Sequence, residues 1–422
     1  MKRILLLLPA TSYRNDDFLA AAKKLDVEIV AAADYCHRLA PLWGMGPIQS
    51  LPFDEPEVAV EQALAALGRK PDAVLAVDDS GVELAALLCQ RLHLPGNPPE
   101  AVRLTRDKLA FRRLLQDSAL NCPAFYHLAD DSQDNALASA VQFPVVVKAR
   151  RLSSSRGVIR ANTRAEFAQA VVWVRGIQAK ADRDAASLGL LVESFIPGRE
   201  YALEGLLQDG RLRVLALFDK PDPLDGPYFE ETLYITPSRL AQTTQDEIAQ
   251  TVQRACELAG LSSGPIHAEM RVNDQGIWLL EIAARSIGGL CGRMLRHALG
   301  MSLEELILRH VLGLPLPPLQ PDTASGVMMI PIPQRGMFQG TANLDSALQV
   351  EGVSDIQITA SVGQIVAPPP EGASYLGFIF ARALLAHQVE HALRQAHAQL
   401  VFDIQPDIPL NRSRENTSAA RL

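Results

Sequence analysis

Through the first hundred residues, unbroken apolar runs alternate with stretches whose apolar residues recur at helical spacing. Ile4–Leu8 is the first run; a loop from Pro9 to Asp17, a helical stretch over Phe18–Leu25 and a second run over Val27–Ala33 follow. The pattern returns as helix Pro56–Leu67, strand Ala73–Val77, the acidic turn Asp78-Asp79 and the alanine- and leucine-rich helix Val82–Leu92. Strands without polar positions, alternating with helices, predict a parallel sheet covered on both faces. Residues 1–100 are therefore expected to form a Rossmann-like domain that ends near Pro95-Gly96-Asn97-Pro98. The loop after the first strand lacks G-x-G-x-x-G, so NAD is not favoured.

Residues 101–195 predict a small α/β lobe: helix Lys108–Gln116, strand Phe143–Lys148, a serine-rich loop, helix Ala165–Gly176 and strand Leu190–Phe195. From 196 to 312 the runs lengthen. Strands Tyr201–Gln208 and Arg211–Asp219, helix Asp246–Ala259 and the pair Ile266–Asn273 and Ile277–Ala283 predict hairpins and an antiparallel sheet. The proline-rich segment Gly313–Pro321 reads as a linker into a last unit, 313–422, of short strands and a helix over Glu390–Ala398, with a polar, frayed tail from Asn411. No internal repeat is visible. The class is thus mixed, α/β followed by α+β.

Composition narrows the functions. The 422 residues are 48% hydrophobic and 21% charged, as in globular proteins. A net charge of −8 with no basic stripe argues against nucleic acid as a partner. Five scattered cysteines, Cys36, Cys89, Cys122, Cys256 and Cys291, form no metal-ligand spacing and fit a reduced, cytoplasmic home. The apolar run after Met1-Lys2-Arg3 is shorter than the roughly 7–15 residues of a signal peptide. No stretch approaches the ~18 apolar residues that would span a bilayer, so no membrane partner is expected.

The chemistry concentrates in a hairpin, with Glu269 on one strand and Glu281 on the other across the turn Asn273-Asp274-Gln275-Gly276. A three-residue loop, Asp274-Gln275-Gly276, with Gly276 left-handed, would set Asn273 opposite Ile277 and Glu269 opposite Glu281; a slip of one residue would separate them. Opposed carboxylates repel unless a cation lies between them, and magnesium, which draws its other oxygens from water and phosphates, needs few protein ligands. A solvated strand face is the alternative. His267 precedes the pair and Arg285 follows it, leading into Gly288-Gly289, where backbone amides can approach an anion. Lys108 heads a helix, and Lys148 ends an apolar strand before the loop Ser153, Ser154, Ser155, Arg156, Gly157, whose amides and hydroxyls could cover phosphates. Downstream, the strand carrying Glu193, Ser194, Phe195 and Ile196 enters a Pro-Gly turn before Glu200. Backbone groups beside Glu193 could read an adenine edge, and Glu200 could accept from ribose hydroxyls. Singly, each of these has a structural explanation: a surface ion pair, a flexible loop, a satisfied histidine.

Taken in order, Lys108, Lys148 with its serine loop, the Glu193 to Glu200 hinge and the Glu269/Glu281 pair resemble the ATP-grasp superfamily over roughly residues 1 to 310. Within it, Gly264-Pro265-Ile266-His267-Ala268-Glu269, Glu281-Ile282-Ala283-Ala284-Arg285, Gly226-Pro227-Tyr228-Phe229-Glu230-Glu231 and Pro333-Gln334-Arg335-Gly336 are most similar to carboxylate–amine ligases of the L-amino acid ligase type. The resemblance implies an ATP-grasp fold: the Rossmann-like domain, a small lobe, an antiparallel large lobe and a C-terminal subdomain completing a lid or a homodimer contact. It implies that Lys108, Lys148, Glu193, Ser194, Phe195, Ile196, Glu200 and His267 hold ATP, that Ser153 to Gly157 close over its phosphates, and that Glu269 and Glu281 hold Mg2+ or Mn2+. Arg285 would face the reacting carboxylate. Glu231 is the choice for a substrate ammonium group and Lys220 for the phosphates, while Tyr234, Gly288 and Gly289 would line the substrate site; a solvated loop is the alternative for residues 220–234. One departure stands out: many members have asparagine where this chain has Ala283.

The implied reaction joins two L-amino acids into a dipeptide with release of ADP and phosphate. Two other readings stay open: an ATP-grasp carboxylase or purine-pathway-like ligase using bicarbonate or formate, and a module that binds ATP without chemistry.

Overall fold

The computed structural model describes residues 1–10, 12–34, 49–181, 187–318, 323–372 and 374–406. Cys36, residues 319–321 of the proline-rich segment and the tail from Asn411 lie outside the described residues.

The N-terminal strands form a parallel sheet in the order Gln49–Ser50, Glu28–Ala33, Arg3–Leu8, Ala73–Ala76. Its first strand explains the unbroken apolar run. Leu5 and Leu7 pack against helices Pro56–Ala66 and Val82–Arg91, whereas Ile4, Leu6 and Leu8 turn the other way into a core shared with Ala202, Leu206, Phe218 and helix Leu303–Val311. With both faces buried, no position can be polar. The loop expected as far as Asp17 is shorter than the sequence suggests. Helix Asn15–Lys24 begins three residues before Phe18, with Asp16 and Asp17 in the first turn, where carboxylates suit the helix dipole.

The second sheet is antiparallel, ordered Phe125–Leu128, Leu190–Ser194, Val145–Ala149, Val158–Ala161. Helix Arg164–Ala181 covers it through Phe167, Ala170, Val171 and Val174. Helix Lys108–Gln116, by contrast, buries Phe111 and Leu115 in the core of the large sheet, with Ile248, Ile266 and Leu279.

That large sheet has eight antiparallel strands, in the order Gly276–Ala283, Gly264–Asn273, Arg199–Gln208, Arg211–Asp219, Leu233–Thr236, Ala324–Ile330, Gly377–Ala383, Val353–Ile358. The sequence suggests a separate unit after residue 313, yet three strands from that region extend the same sheet. Such pairing is long-range and leaves no local signal. Helix Ala386–Gln399 packs on these strands through Val389, Ala392, Leu393 and Ala396. A three-stranded sheet, Ile365–Val366, Gly336–Ala342, Val401–Pro406, completes the C-terminal part. Among the described residues no helix is long and apolar enough to cross a membrane.

Helix Gln242–Ala259 lays Ile248, Val252, Ala255, Cys256 and Ala259 on the large sheet and stops at Gly260, whose φ is +77°. A Cβ there would meet only Ala101 at 3.6 Å, an ordinary contact. The cost of a side chain is therefore conformational. Gly260→Ala should lose about 1 kcal/mol of unfolding free energy, and Gly260→Asn should lose less, because asparagine tolerates the left-handed region better. Urea denaturation of the three proteins measures both.

Candidate active site

Between the small antiparallel sheet and the eight-stranded sheet lies a cleft open to solvent. Its walls carry Lys108, Lys148, Ser153, Ser154, Ser155, Glu193, Ser194, Phe195 and Ile196 together with Glu200, Glu231, Tyr234, His267, Glu269, Glu281, Arg285, Gly288 and Gly289. Residues 180 positions apart in sequence are thus brought to one site. Gly157 is not part of the wall. Its carbonyl accepts the Ala149 N–H at 2.8 Å, which ties it to the strand behind the serine loop.

The hairpin carries both glutamates opposite each other, by a different route from the one the sequence suggests. Asn273 pairs with Gly276, so the loop is the two residues Asp274-Gln275, and Gly276 has φ +112°. That register alone would misalign the acids. A bulge between Met270 and Glu269, with Leu280 as the extra residue, restores the pairing of Glu269 with Glu281. Arg112 stabilises the bulge by donating Nη2 to the Leu280 carbonyl at 2.8 Å. Alternation then puts His267, Glu269 and Arg271 on the cleft face, while Ala268 and Met270 point into the core with helix Gln242–Ala259.

Those polar side chains meet partners directly across the neighbouring strand. His267 faces Glu204, Nδ1 to carboxylate at 3.2 Å, and Arg271 faces Glu200, Nε to carboxylate at 3.3 Å. His267 is buried, which disfavours its charge, but the carboxylates of Glu204 and Glu269 outweigh this and push it up to about 9. Lys220 sits where three acids converge, donating to Glu200 at 2.8 Å, Glu231 at 2.6 Å and Glu269 at 3.0 Å. Burial opposes its charge, yet the three carboxylates hold it well above the ordinary lysine range. One oxygen each of Glu200, Glu231 and Glu269 lies within 4.8 Å of the others. Burial and the adjacent Glu269 push the Glu231 carboxyl upward. Tyr234 donates its hydroxyl to Glu269 at 3.3 Å. Glu281, on the other strand, is 3.5 Å from Lys108.

Helix Lys108–Gln116 is capped by Asp107, whose carboxylate accepts from Leu109 N at 3.0 Å, and so fixes Lys108 at its head. One turn on, Arg112 is fully buried and donates Nε to Glu193 at 2.8 Å; Lys148 reaches the same carboxylate at 2.7 Å from the facing strand. Glu193 is therefore a counterion between the two lobes, and its strand continues into the hinge. There the Ser194 N–H donates to Ala124 O at 2.8 Å and the Phe195 N–H to Pro144 O at 3.0 Å. Both amides are thereby paired within the protein, and Ile196 N–H is the next one along. The loop from Leu224 to Phe229 is fastened to the small lobe, where the Arg160 N–H donates to Pro227 O at 2.9 Å.

Several site residues escaped the sequence reading. Arg112 follows Lys108 at i, i+4, a spacing that puts both on one helix face. Asp79 stands at the carboxyl end of a parallel strand, where open α/β sheets present their sites; its carboxylate meets Arg285 Nε at 2.8 Å. Met329 and Tyr375 also line the cleft, and nothing local marks them.

Two stretches of the chain match known families. A family model described as ATP-grasp domain matches residues 141–294, and one described as L-amino acid ligase C-terminal domain 2 matches residues 328–405. The chain carries an ATP-grasp domain over residues 141–294. Carnosine synthase 1 of Gallus gallus is 32% identical to this chain over 275 residues, 62% of the chain and 29% of that protein; the chain thus spans under a third of the length of that relative. Alanine–anticapsin ligase of Bacillus subtilis is 25% identical over 312 residues, 68% of the chain and 65% of the relative. Among solved structures, the L-amino acid ligase from Bacillus licheniformis matches with a TM-score of 0.79 at 24% identity, covering 96% of this chain and 99% of that one.

The buried Glu193 makes a prediction about pH. Desolvation would raise its pKa, but Arg112 and Lys148 lower it to about 2. A depressed carboxyl stabilises the fold above its unfolded pKa near 4.5, and that contribution disappears as the pH falls towards about 2. Glu193→Gln should therefore be less stable than the parent at pH 7 by about 3 kcal/mol, with the gap closing between pH 4.5 and 2. A gap independent of pH in urea titrations would contradict the assignment.

Proposed function

We propose that this chain is an ATP-dependent, ADP-forming carboxylate–amine ligase that activates one L-amino acid as an acyl phosphate and joins it to a second. One observation carries the reading: Glu269 and Glu281, opposed on neighbouring strands, share a cleft with Lys108, Lys148 and Arg285. The L-amino acid ligase C-terminal domain model and two of the relatives, carnosine synthase 1 and alanine–anticapsin ligase, support it.

The donor set suits a hard divalent cation, because two facing carboxylates repel unless a cation lies between them and offer only oxygen ligands. Glu269 and Glu281 would hold Mg2+ or Mn2+, which would neutralise charge on the transferring phosphoryl group. The chain's own side chains supply the rest. Lys108 and Lys148 attract the phosphates, the hydroxyls of Ser153 to Ser155 cover them, and Ile196 N–H meets the base edge. Glu200 accepts from the ribose, with His267 beside it. Lys220 hands its charge to the triphosphate. Arg285 orients the carboxylate to be activated and Glu231 receives the ammonium group, with Tyr234, Gly288 and Gly289 around the substrate.

Activation is needed because a carboxylate would have to expel oxide, whereas an acyl phosphate expels phosphate. Such an intermediate is lost to water, so fastening residues 224–229 to the small lobe has a chemical purpose. We further propose a cytoplasmic, homodimeric protein. Cys89, Cys122, Cys256 and Cys291 are free thiols, in keeping with a reducing compartment.

A phosphate-release screen over pairs of L-amino acids, with mass spectrometry of the products, tests the function. The expected result is a dipeptide formed with stoichiometric ADP. ADP release that depends on bicarbonate instead, or none with any pair, would overturn the reading. With the productive pair, Glu231→Gln should raise the amino-acid KM by about 10-fold or more while leaving the KM for ATP within about twofold; an unchanged amino-acid KM would remove Glu231 from its role.

A further inference from the structure

The outermost strand of the eight-stranded sheet, Gly276–Ala283, changes phase part-way along its length. Ile277 and Leu279 point into the core with helix Gln242–Ala259. Strict alternation would send Glu281 in after them and turn Ile282 towards the cleft. The reverse is found: Ile282 lies in that core, while Leu280 and Glu281, neighbours in sequence, both line the cleft. The bulge at Leu280 makes the exchange, since one extra residue moves every later side chain to the other face.

The backbone shows the same shift. Carbonyls of this strand that face away from Gly264–Asn273 have no ladder partner, and regular spacing presents one at every second residue. Ile277 O is met from outside by Asn121 Nδ2 at 3.1 Å, so residues 279 and 281 should follow. Instead Leu280 O is met, by Arg112 Nη2 at 2.8 Å. Arg112 therefore stands where the phase changes. Its guanidinium is held there by two hydrogen bonds to one carboxylate, from Nε to Glu193 Oε1 at 2.8 Å and from Nη2 to Oε2 at 3.4 Å. The helix that carries it is anchored through Phe111 and Leu115 in the same core that takes Ile282.

We propose that Arg112 is a positioning residue for the divalent cation: by holding the Leu280 carbonyl it keeps the bulge, and the bulge keeps the Glu281 carboxylate in the cleft opposite Glu269. This rests on the reading that those two glutamates hold the cation. Arg112 acts through the backbone, so what serves the metal is the hydrogen bond that Nη2 gives and not the positive charge. Loss of that bond frees the strand to return to regular alternation, which turns Glu281 away from Glu269.

The metal itself reports the effect without turnover. Mn2+ titrations of the stoichiometric protein–ADP complex, followed by electron paramagnetic resonance of the free ion, give the metal Kd. Arg112→Met should raise it about 10- to 100-fold, the range for removing a group that orients a metal ligand. The Kd for ADP measured without metal should stay within about twofold. Arg112→Lys keeps a cation beside Glu193 but offers one nitrogen on a shorter side chain, and it should raise the Mn2+ Kd about 10-fold. Thermal melts report folding, and Arg112→Lys decides the matter if the methionine protein is unstable. A folded variant whose Mn2+ Kd stays within twofold of the parent overturns the proposal. So does a metal-free ADP Kd that weakens as much as the metal Kd, because the whole cleft has then lost its shape. Glu281→Gln separates the two levels: if it leaves the Mn2+ Kd unchanged, the metal role of Glu281 falls and that of Arg112 with it. If Glu281→Gln weakens Mn2+ binding and the Arg112 variants do not, only the positioning role is lost.

Discussion

The strand Gly264–Asn273 is the element on which this structure depends, because it pairs along its length with Arg199–Gln208 on one side and Gly276–Ala283 on the other. Alternation along a strand leaves no choice about where its polar residues go. His267, Glu269 and Arg271 emerge together on the cleft side, beneath a second lobe, with His267 and Arg271 buried. Charges in such a place must be matched at short range or the fold loses several kcal/mol per ion. The neighbouring strands answer with Glu204 and Glu200, and Lys220 reaches in from beyond them. The chemistry of the site is in this sense the solution to a packing problem.

The same logic accounts for the cross-lobe contact. Glu193 is a buried acid, and it is tolerable because Arg112 approaches from the large-sheet side and Lys148 from within its own sheet. Arg112 also holds the bulge that keeps Glu269 and Glu281 opposite one another. One buried guanidinium therefore links the hinge, the small sheet and the acidic hairpin.

Much of this was legible in the sequence, and the limits have physical causes. Apolar runs such as Ile4–Leu8 and Val145–Val147 identify strands because both of their faces are buried, and helix Lys108–Gln116 appears with the bounds its periodicity suggests. The Glu269/Glu281 pairing was foreseeable too, although a loop one residue shorter plus a bulge produces it. Bulges depend on what fits across the sheet, so spacing does not reveal them. What remained hidden is long-range: the continuation of the large sheet past residue 313, the arrival of Met329 and Tyr375 in the cleft, and the grip of Asp79 on Arg285. Gly157 shows the converse. A glycine expected in a phosphate-covering loop also has a contact the sequence does not show, its carbonyl accepting from the strand behind it.

Ile4, Leu6 and Leu8 share one core with Ala202, Leu206 and Phe218, which welds the parallel sheet to the eight-stranded one. Apolar surfaces so interleaved do not slide without opening voids. The two sheets therefore form one packed body, and the sheet of Leu190–Ser194 runs on into it through the Phe195 to Gly198 crossing. A second tie exists where Arg160 latches onto Pro227.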